Sequence, residues 1–277
     1  MGALQRFVSG LVDARGSTRA LALVRMFFIG LLWLRYVLGF AWFDYVGDPA
    51  KFALVVAFYL ASVTAFVGFR TRLSMATVAI VLTIFRYHYQ LDLGEGPDIH
   101  LGPWQVCVLL ALTPCGHSLS VDRWLAVRAA EAKGDPIPSE EAPLWSVALL
   151  KAQMSSMYLF AAIDKLGHDW FSGFRLERIF VRFWGTSESL VGNTFIHGMS
   201  VVTAYATTLL EFALAIGLWI PRVRGPLILA GVGLHLSFFF FLALWPLSAR
   251  MILLYLIFLD PKSVHDFIER LVKSPER

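Results

Sequence analysis

Four ionisable side chains lie in or beside long apolar runs, and they are the residues of this sequence that could do chemistry. Lys165 lies at the end of one run, Glu211 and His235 lie inside two later ones, and His100 closes a short acidic stretch. An ionisable group inside a bilayer costs about 3 kcal/mol on insertion scales, so each one needs a role. A lysine amine withdrawn from water can serve as a base near neutral pH.

Each of these residues also has a simpler interpretation. Lys165 could snorkel from a helix end to the membrane surface, as Arg25 would in the first apolar run. Glu211 and His235 could form a hydrogen bond that holds two helices together, or serve as a proton relay or a ligand for a polar head group. His100 could be a solvated loop side chain.

The elements that must position these groups are transmembrane helices. Hydrophobic residues make up 57% of the 277 residues and charged residues only 16%, against about 25% in soluble domains. A helix needs about 20 mostly apolar residues to cross a bilayer, and we predict an all-α, polytopic bundle of about eight spans with no soluble domain. The predicted spans are 20–43, 52–69, 73–89, 103–119, 144–166, 194–220, 225–243 and 248–259.

The whole chain, residues 1–277, is predicted to form one domain. An amphipathic segment 1–19 precedes the bundle 20–260, and a polar tail 261–277 follows it. Residues 121–142 form a charged surface loop with a short helix over 122–132, and residues 167–193 an amphipathic segment that lies in the interface or caps the bundle. Basic loops fall on one side of an eight-span bundle, which predicts that both termini lie in the cytoplasm.

Several functions are disfavoured. The net charge of +4 comes from Lys and Arg residues spread among loop ends, which suits lipid head groups and not nucleic acid. Cys107 and Cys115 have neither CxxC nor zinc spacing, so we expect packed thiols, with a disulfide as the alternative. Histidines occur singly, which argues against a metal cluster, and no nucleotide-binding or hydrolase motif is present. A transporter is disfavoured because we find no internal repeat.

A motif in the fifth apolar run resembles a known family. Pro-Leu-Trp at 143–145, Gln153, Tyr-Leu-Phe-Ala-Ala-Ile-Asp-Lys-Leu at 158–166, Asp-Trp at 169–170 and Gly173 are similar to the core motif of the vitamin K-dependent gamma-carboxylase family. Bacterial members carry this motif as the HTTM domain. Further matches keep the family's order, and the resemblance covers about residues 17–262. These matches are Ala-Leu-Val-Arg at 22–25, His100, Ser-Val-Asp at 120–122, and His235.

The resemblance implies a chemistry for these positions. Lys165 would be the base that deprotonates a reduced quinone of the menaquinone or vitamin K type. Reaction with O2 would give a strong alkoxide base and the quinone epoxide, and that base would remove a γ proton from a peptide glutamate, to which CO2 adds. His100 and His235 would bind the quinone or position protons in the same catalytic site. The cofactor-binding side chains would be those of Gln153, Tyr158, Glu211 and Trp170.

The sequence departs from the carboxylase pattern at three points. Ile99 stands where the carboxylase has Asn, Asp164 replaces a second lysine, and the chain ends shortly after the last predicted span. We therefore expect the reaction of quinol with oxygen, with a secreted peptide or a separate substrate-binding protein as partner. The alternative is a non-catalytic membrane factor for maturation, export or immunity of a secreted peptide, which predicts that Lys165 is dispensable.

Overall fold

Most of the residues that the structure describes are helical. The computed structural model describes residues 2, 9–10, 12–41, 48–88, 102–183 and 192–272. Within these ranges, only two strands of three residues each interrupt the helical architecture. The chain forms two compact units: unit 1 comprises Met1–Lys151 and Leu259–Arg277, and unit 2 comprises Ala152–Phe258. The prediction of an all-α membrane protein is confirmed at this level.

Unit 1 contains two short strands and the helices from both ends of the chain. The strands pair antiparallel, with Arg15 opposite Pro143 and Ser17 opposite Glu141. The last helix of the chain packs against the first helix and the first strand. In chain order the elements are β1 (Arg15–Ser17), α1 (Arg19–Ala41), α2 (Pro49–Val67), α3 (Thr71–Tyr87), α4 (Pro103–Leu112), α5 (Val121–Lys133), β2 (Glu141–Pro143), the start of α6 (Trp145–Asp164), and α12 (Pro261–Val272).

A carboxylate from a different helix caps the beginning of α3. Asp122 of α5 accepts hydrogen bonds from the backbone N–H groups of Arg70 and Thr71, each at 2.8 Å, and from the Thr71 hydroxyl at 2.6 Å. These N–H groups belong to the helix start, where no intrahelical acceptor exists, and a negative charge is favourable there. The Ser-Val-Asp sequence at 120–122 thus joins two helices of unit 1.

A buried arginine organises the turn between α4 and α5. Arg25 of α1 is fully buried and donates to the backbone carbonyls of Cys115 and of Leu119, the latter at 2.7 Å. The prediction that Arg25 snorkels to the membrane surface is therefore wrong. The guanidinium carries five N–H donors in a fixed fork, so it can satisfy two carbonyls that the turn leaves without helical partners.

Unit 2 is built from six helical elements. Helix α9 contacts α7, α8 and α10, while α10 also contacts α8 and α11. The amide oxygen of Asn193 caps α9 by accepting from the N–H groups of Phe195 and Ile196, and Pro221 occupies the first turn of α10. The elements are the rest of α6 from Ala152, α7 (His168–Phe171), α8 (Phe174–Phe183), α9 (Thr194–Gly217), α10 (Pro221–Leu242) and α11 (Trp245–Leu254), which continues as the 3₁₀ turn Tyr255–Phe258.

Four of the described helices are long and apolar enough to cross a membrane, fewer than the eight spans predicted. They are Pro49–Val67, Trp145–Asp164, Thr194–Gly217 and Pro221–Leu242. The predicted span 103–119 is a helix of only 10 residues that ends at Leu112, because Thr113 precedes Pro114 and adopts an extended backbone. The last two predicted spans are separate helices, because Ala243 adopts the left-handed conformation at the end of α10; Trp245 and Pro246, where we expected the break, form the first turn of α11.

Two further predictions fall on described residues. Cys107 and Cys115 are both buried in unit 1 and do not form a disulfide, as the packed-thiol interpretation expected. The amphipathic segment 167–193 forms α7 and α8, and its residues 184–191 lie outside the described ranges. Helix α8 buries Leu176, Glu177 and Val181 against unit 2, so this segment packs on the unit and does not only lie in the interface.

Candidate functional site

An ion pair connects the end of α6 to the middle of α9. Lys165 is the first residue after α6, and its ammonium Nζ donates to both carboxylate oxygens of Glu211, at 2.9 and 2.8 Å. A third hydrogen bond of 3.1 Å goes to the backbone carbonyl of Ala161. The Glu211 side chain is 3% exposed and that of Lys165 is 17% exposed, so the amine is the more accessible partner. The three donors of the ammonium are therefore all used.

An aromatic ring lies beside this amine. Lys165 Nζ is 5.3 Å from the centroid of the Trp170 ring, within the range of a cation–π interaction. The indole N–H of Trp170 donates to the carbonyl of Ala204 in α9 at 3.1 Å. That bond fixes the plane of the ring, so Trp170 offers a flat aromatic surface at a set position next to the amine.

A second cluster joins three helical elements of unit 2 through buried side chains. The Tyr158 hydroxyl lies 2.7 Å from His235 Nε2 and 2.5 Å from the Tyr255 hydroxyl. The three residues come from α6, α10 and the 3₁₀ turn after α11, and each is 3% exposed or less. His235 Nδ1 is buried and has no hydrogen-bond partner among the described residues.

The two clusters are linked by one face of α6. Tyr158 and Lys165 are seven residues apart, which places them on the same side of the helix and about 10 Å apart along its axis. Glu211 is near enough to Tyr158 for an electrostatic interaction. We treat the Lys165–Glu211 pair and the Tyr158–His235–Tyr255 chain as one candidate site in unit 2.

A third polar contact in unit 2 ties α8 to the start of α9. The side chain of Glu177 is 1% exposed and accepts a 2.5 Å hydrogen bond from the backbone N–H of Gly192. Its other oxygen lies 2.8 Å from His197 Nδ1. The bond from Gly192, followed by that from His197, holds the pKa of Glu177 below its usual range.

Comparison with known protein families matches residues 17–262 to the HTTM domain, and this range is most of the chain. The chain belongs to the HTTM domain family. No curated protein and no solved structure gives a significant match to it.

Two alternatives left open for the HTTM domain residues are decided by the structure. Lys165 does not snorkel, because its amine is held by the buried carboxylate of Glu211. The predicted hydrogen bond between Glu211 and His235 is wrong, since Glu211 bonds to Lys165 and His235 bonds to Tyr158. The partner of each residue depends on how the helices are rotated about their axes.

One predicted site residue of the HTTM domain is not brought into the cluster, and another is not described by the structure. His100 lies outside the described residues. Gln153 lies on α6 five residues before Tyr158, which turns it about 140° around the helix from the Tyr158 face. Gln153 therefore belongs to a different side of α6 from the face that carries Tyr158 and Lys165.

Sequence reasoning missed Tyr255 and the burial of Glu177. A tyrosine in an apolar run is typical of packing, so Tyr255 carried little signal by itself. The one weak signal in the sequence was a glycine, Gly231, one helical turn before His235. The structure shows its reason: a Cβ atom added there would lie 1.9 Å from the Tyr255 hydroxyl. Glu177 is one of several charged residues in the amphipathic segment 167–193, and the sequence does not mark it as the carboxylate that α8 buries.

The described clefts of the HTTM domain lie elsewhere. Two clefts in unit 1 have volumes of about 530 and 780 Å³, and none of the candidate site residues lines them. Among the described residues, no three His, Cys, Asp or Glu side chains are grouped in a way that could hold a metal ion.

Proposed function

We propose that this HTTM domain protein is a membrane enzyme that oxidises a reduced quinone with O2, using Lys165 as the base. The observation that carries the proposal is the pairing of Lys165 with Glu211, which gives a lysine amine in an apolar bundle an internal proton acceptor. The residues involved lie in the part of the chain that resembles the gamma-carboxylase motif. That resemblance supports a quinol of the menaquinone or vitamin K type.

The pair can supply a base once a quinol hydroxyl group displaces one of the three acceptors that surround Lys165 Nζ. Lysine accepts a proton only as the neutral amine, whereas the ion pair holds it as ammonium. Transfer of one proton from Lys165 Nζ to Glu211, along an existing hydrogen bond of 2.8 or 2.9 Å, gives an amine and a carboxylic acid. The lone pair of the amine then takes the proton of a quinol hydroxyl group.

The overall reaction balances with O2 as the only oxidant. One quinol and one O2 give one quinone epoxide and one water, so the quinol carries both hydrogen atoms that end in water. If a glutamate side chain is the second substrate, its γ C–H bond breaks, a C–C bond to CO2 forms, and one proton is released. We propose that a secreted peptide or a separate protein supplies that second substrate.

The surroundings of the amine suit a flat, apolar substrate. Trp170 lies 5.3 Å from Lys165 Nζ, with its ring held by the bond to Ala204, so a quinone ring could stack beside the amine. The amine is 17% exposed while Tyr158, His235 and Tyr255 are nearly closed off. We therefore propose that the substrate enters at the Lys165 end, which we place toward the outer face of the bacterial inner membrane.

The test compares wild type with Lys165→Arg in lipid nanodiscs supplied with reduced menaquinone and O2. An arginine can keep the ion pair with Glu211 but does not release its proton, so the variant separates folding from base function. We expect epoxide formation to fall by about 100-fold or more. The matched control is Lys133→Arg, at an exposed position of α5, which should keep full activity.

Two results would decide against the proposal. Full epoxide formation by Lys165→Arg would remove the base role. A wild-type protein that neither binds reduced menaquinone nor forms epoxide would favour the non-catalytic maturation, export or immunity factor, whose function should survive both substitutions.

A further inference from the structure

The tyrosine–histidine chain of unit 2 has a defined order of donors and acceptors. Tyr158 lies in the middle, 2.7 Å from His235 Nε2 and 2.5 Å from the Tyr255 hydroxyl. An imidazole nitrogen is a stronger acceptor than a phenol oxygen, and a phenol O–H is a stronger donor than an imidazole N–H. Tyr158 therefore donates to His235 Nε2, and its oxygen accepts from Tyr255.

This order decides which ring nitrogen of His235 carries the hydrogen. A neutral imidazole has one N–H group, and the nitrogen that accepts a hydrogen bond cannot be the one that donates. With Nε2 accepting from Tyr158, the hydrogen is on Nδ1. No acidic side chain among the described residues is bonded to His235, and an unpaired imidazolium would be costly in this buried position.

The resulting N–H group has no acceptor in the part of the chain that the structure describes. His235 is 2% exposed, and its Nδ1 atom has no hydrogen-bond partner among the described residues. Buried N–H groups without partners are rare in folded proteins, and each one calls for an explanation. The rings around His235 are those of Tyr158, Phe238 and Tyr255, which supply no further acceptor toward Nδ1.

We propose that Tyr158 and Tyr255 are positioning residues that hold His235 in the Nδ1–H tautomer, and that this N–H donates a hydrogen bond to an oxygen atom of the bound quinone or quinol. The ligand part of this inference rests on the proposed function. The tautomer part rests on the hydrogen-bond chain alone and can be measured without a substrate.

A glycine maintains the approach of Tyr255 to this chain. At Gly231 an added Cβ atom would lie 1.9 Å from the Tyr255 hydroxyl and 2.6 Å from the ring carbon that carries it. The helix α10 therefore leaves room for the hydroxyl directly beside its own backbone. Gly233, two residues later on the same helix, has no atom within 4 Å of such a Cβ, which makes it a matched control.

The first experiment measures the tautomer in the complete protein. Solid-state NMR of protein with labelled histidine ring nitrogens, reconstituted in lipid without quinone, should show His235 protonated at Nδ1, assigned by its loss in His235→Asn. In Tyr158→Phe, the fraction of His235 protonated at Nε2 should rise. Tyr255→Phe and Gly231→Ala should change the tautomer ratio in the same direction. The control Gly233→Ala should leave the ratio unchanged. A wild-type His235 protonated at Nε2 would overturn the inference.

The second experiment asks whether Nδ1 contacts the ligand. Asparagine places an amide N–H near the Nδ1 position, whereas glutamine places one near Nε2. We expect His235→Asn to bind menaquinone within about threefold of wild type and His235→Gln to bind about 10-fold more weakly, the worth of one hydrogen bond. Equal affinities would overturn the ligand contact. A wild type that binds no menaquinone would instead refute the proposed function, and the NMR result would still decide the tautomer.

Discussion

Arg25 in unit 1 and Lys165 in unit 2 are cations in apolar surroundings, and their charges are satisfied in different ways. Arg25 in unit 1 is fully buried and donates to two backbone carbonyls, those of Cys115 and Leu119. Lys165 in unit 2 keeps 17% of its side chain exposed and donates to the carboxylate of Glu211. Arginine stays protonated in proteins, so Arg25 can fix a turn but cannot exchange a proton. Lysine can, and its partner is a group that accepts one.

The comparison teaches that a buried charge is not by itself a sign of chemistry. Arg25 lies inside an apolar run and Lys165 at the end of one. In the sequence, each is equally recognisable as a charged residue among apolar ones. The partner separates them, because backbone carbonyls cannot take a proton whereas a carboxylate can. We therefore assign Arg25 to the fold and Lys165 to the proposed reaction.

The largest expected effect is on the Lys165–Glu211 pair. Glu211→Leu leaves the ammonium without its counter-ion, and breaking a buried pair in this way costs about 3–5 kcal/mol. We expect about 3 kcal/mol, near the lower end, because the Lys165 side chain keeps 17% exposure. Denaturant unfolding of unit 2 in a mild detergent measures the loss.

The double variant Lys165→Met with Glu211→Leu is the control for that prediction. Removing both charges replaces the pair by apolar groups, and stability should return close to wild type while epoxide formation stays absent. If the single Glu211→Leu variant were as stable as wild type, the ion pair would not contribute to the stability of the fold. The contrast between the partners of Lys165 and Arg25 would then not be supported.

An intermediate effect is expected at the other cation. Arg25→Lys keeps the charge but loses the planar fork that reaches two carbonyls, so one buried acceptor is left unpaired at a cost of about 1–3 kcal/mol. Hydrogen exchange of residues 113–120 should increase, and epoxide formation per folded molecule should not change. Arg128→Lys, on an exposed face of α5, serves as the control. A loss of turnover without a loss of stability would reverse our assignment of Arg25.

The smallest effect concerns Glu177, a buried acid with a neutral main partner. Its pKa lies below the ordinary value of 4.5, chiefly through the bond from Gly192, so the folded protein binds this proton less readily than the unfolded chain. The stabilisation is complete above about pH 4.5 and declines as the pH falls from there through the folded pKa. Unfolding midpoints from pH 7 downward should show a weaker acid slope in Glu177→Gln than in wild type, and no change in Glu141→Gln.

The sequence predicted the class of fold, and several of the residues that it singled out lie together in the polar clusters of unit 2. Lys165, Glu211 and His235 were visible as costly polar groups in apolar runs, and Tyr158 and Trp170 through the motif around Lys165. Their pairing was not visible, because it depends on the rotation and depth of α6, α9 and α10 in unit 2. Tyr255 was missed for the same reason: only the tertiary structure brings its hydroxyl to Tyr158.

Helix lengths were the weaker part of the prediction. Apolar composition continued from α4 through residue 119, but the backbone leaves the helix at Thr113 before Pro114. Hydropathy measures how a segment partitions into lipid and does not report where its backbone bonds end. The carbonyls of Cys115 and Leu119, which follow the end of α4, accept hydrogen bonds from Arg25. The early end of α4 therefore explains both the wrong helix length and the wrong prediction that Arg25 snorkels.

The burial of both native thiols makes the protein ready for site-directed chemical labelling. Cys107 and Cys115 are each 0% exposed, and buried thiols of this kind react slowly with maleimides. A single cysteine introduced at an exposed position, such as His168→Cys or Lys133→Cys, would therefore be modified selectively in the otherwise native chain. A membrane-impermeant reagent added to intact cells should modify a cysteine at position 168 but not one at position 133. This labelling measures on which side of the membrane the proposed active site lies.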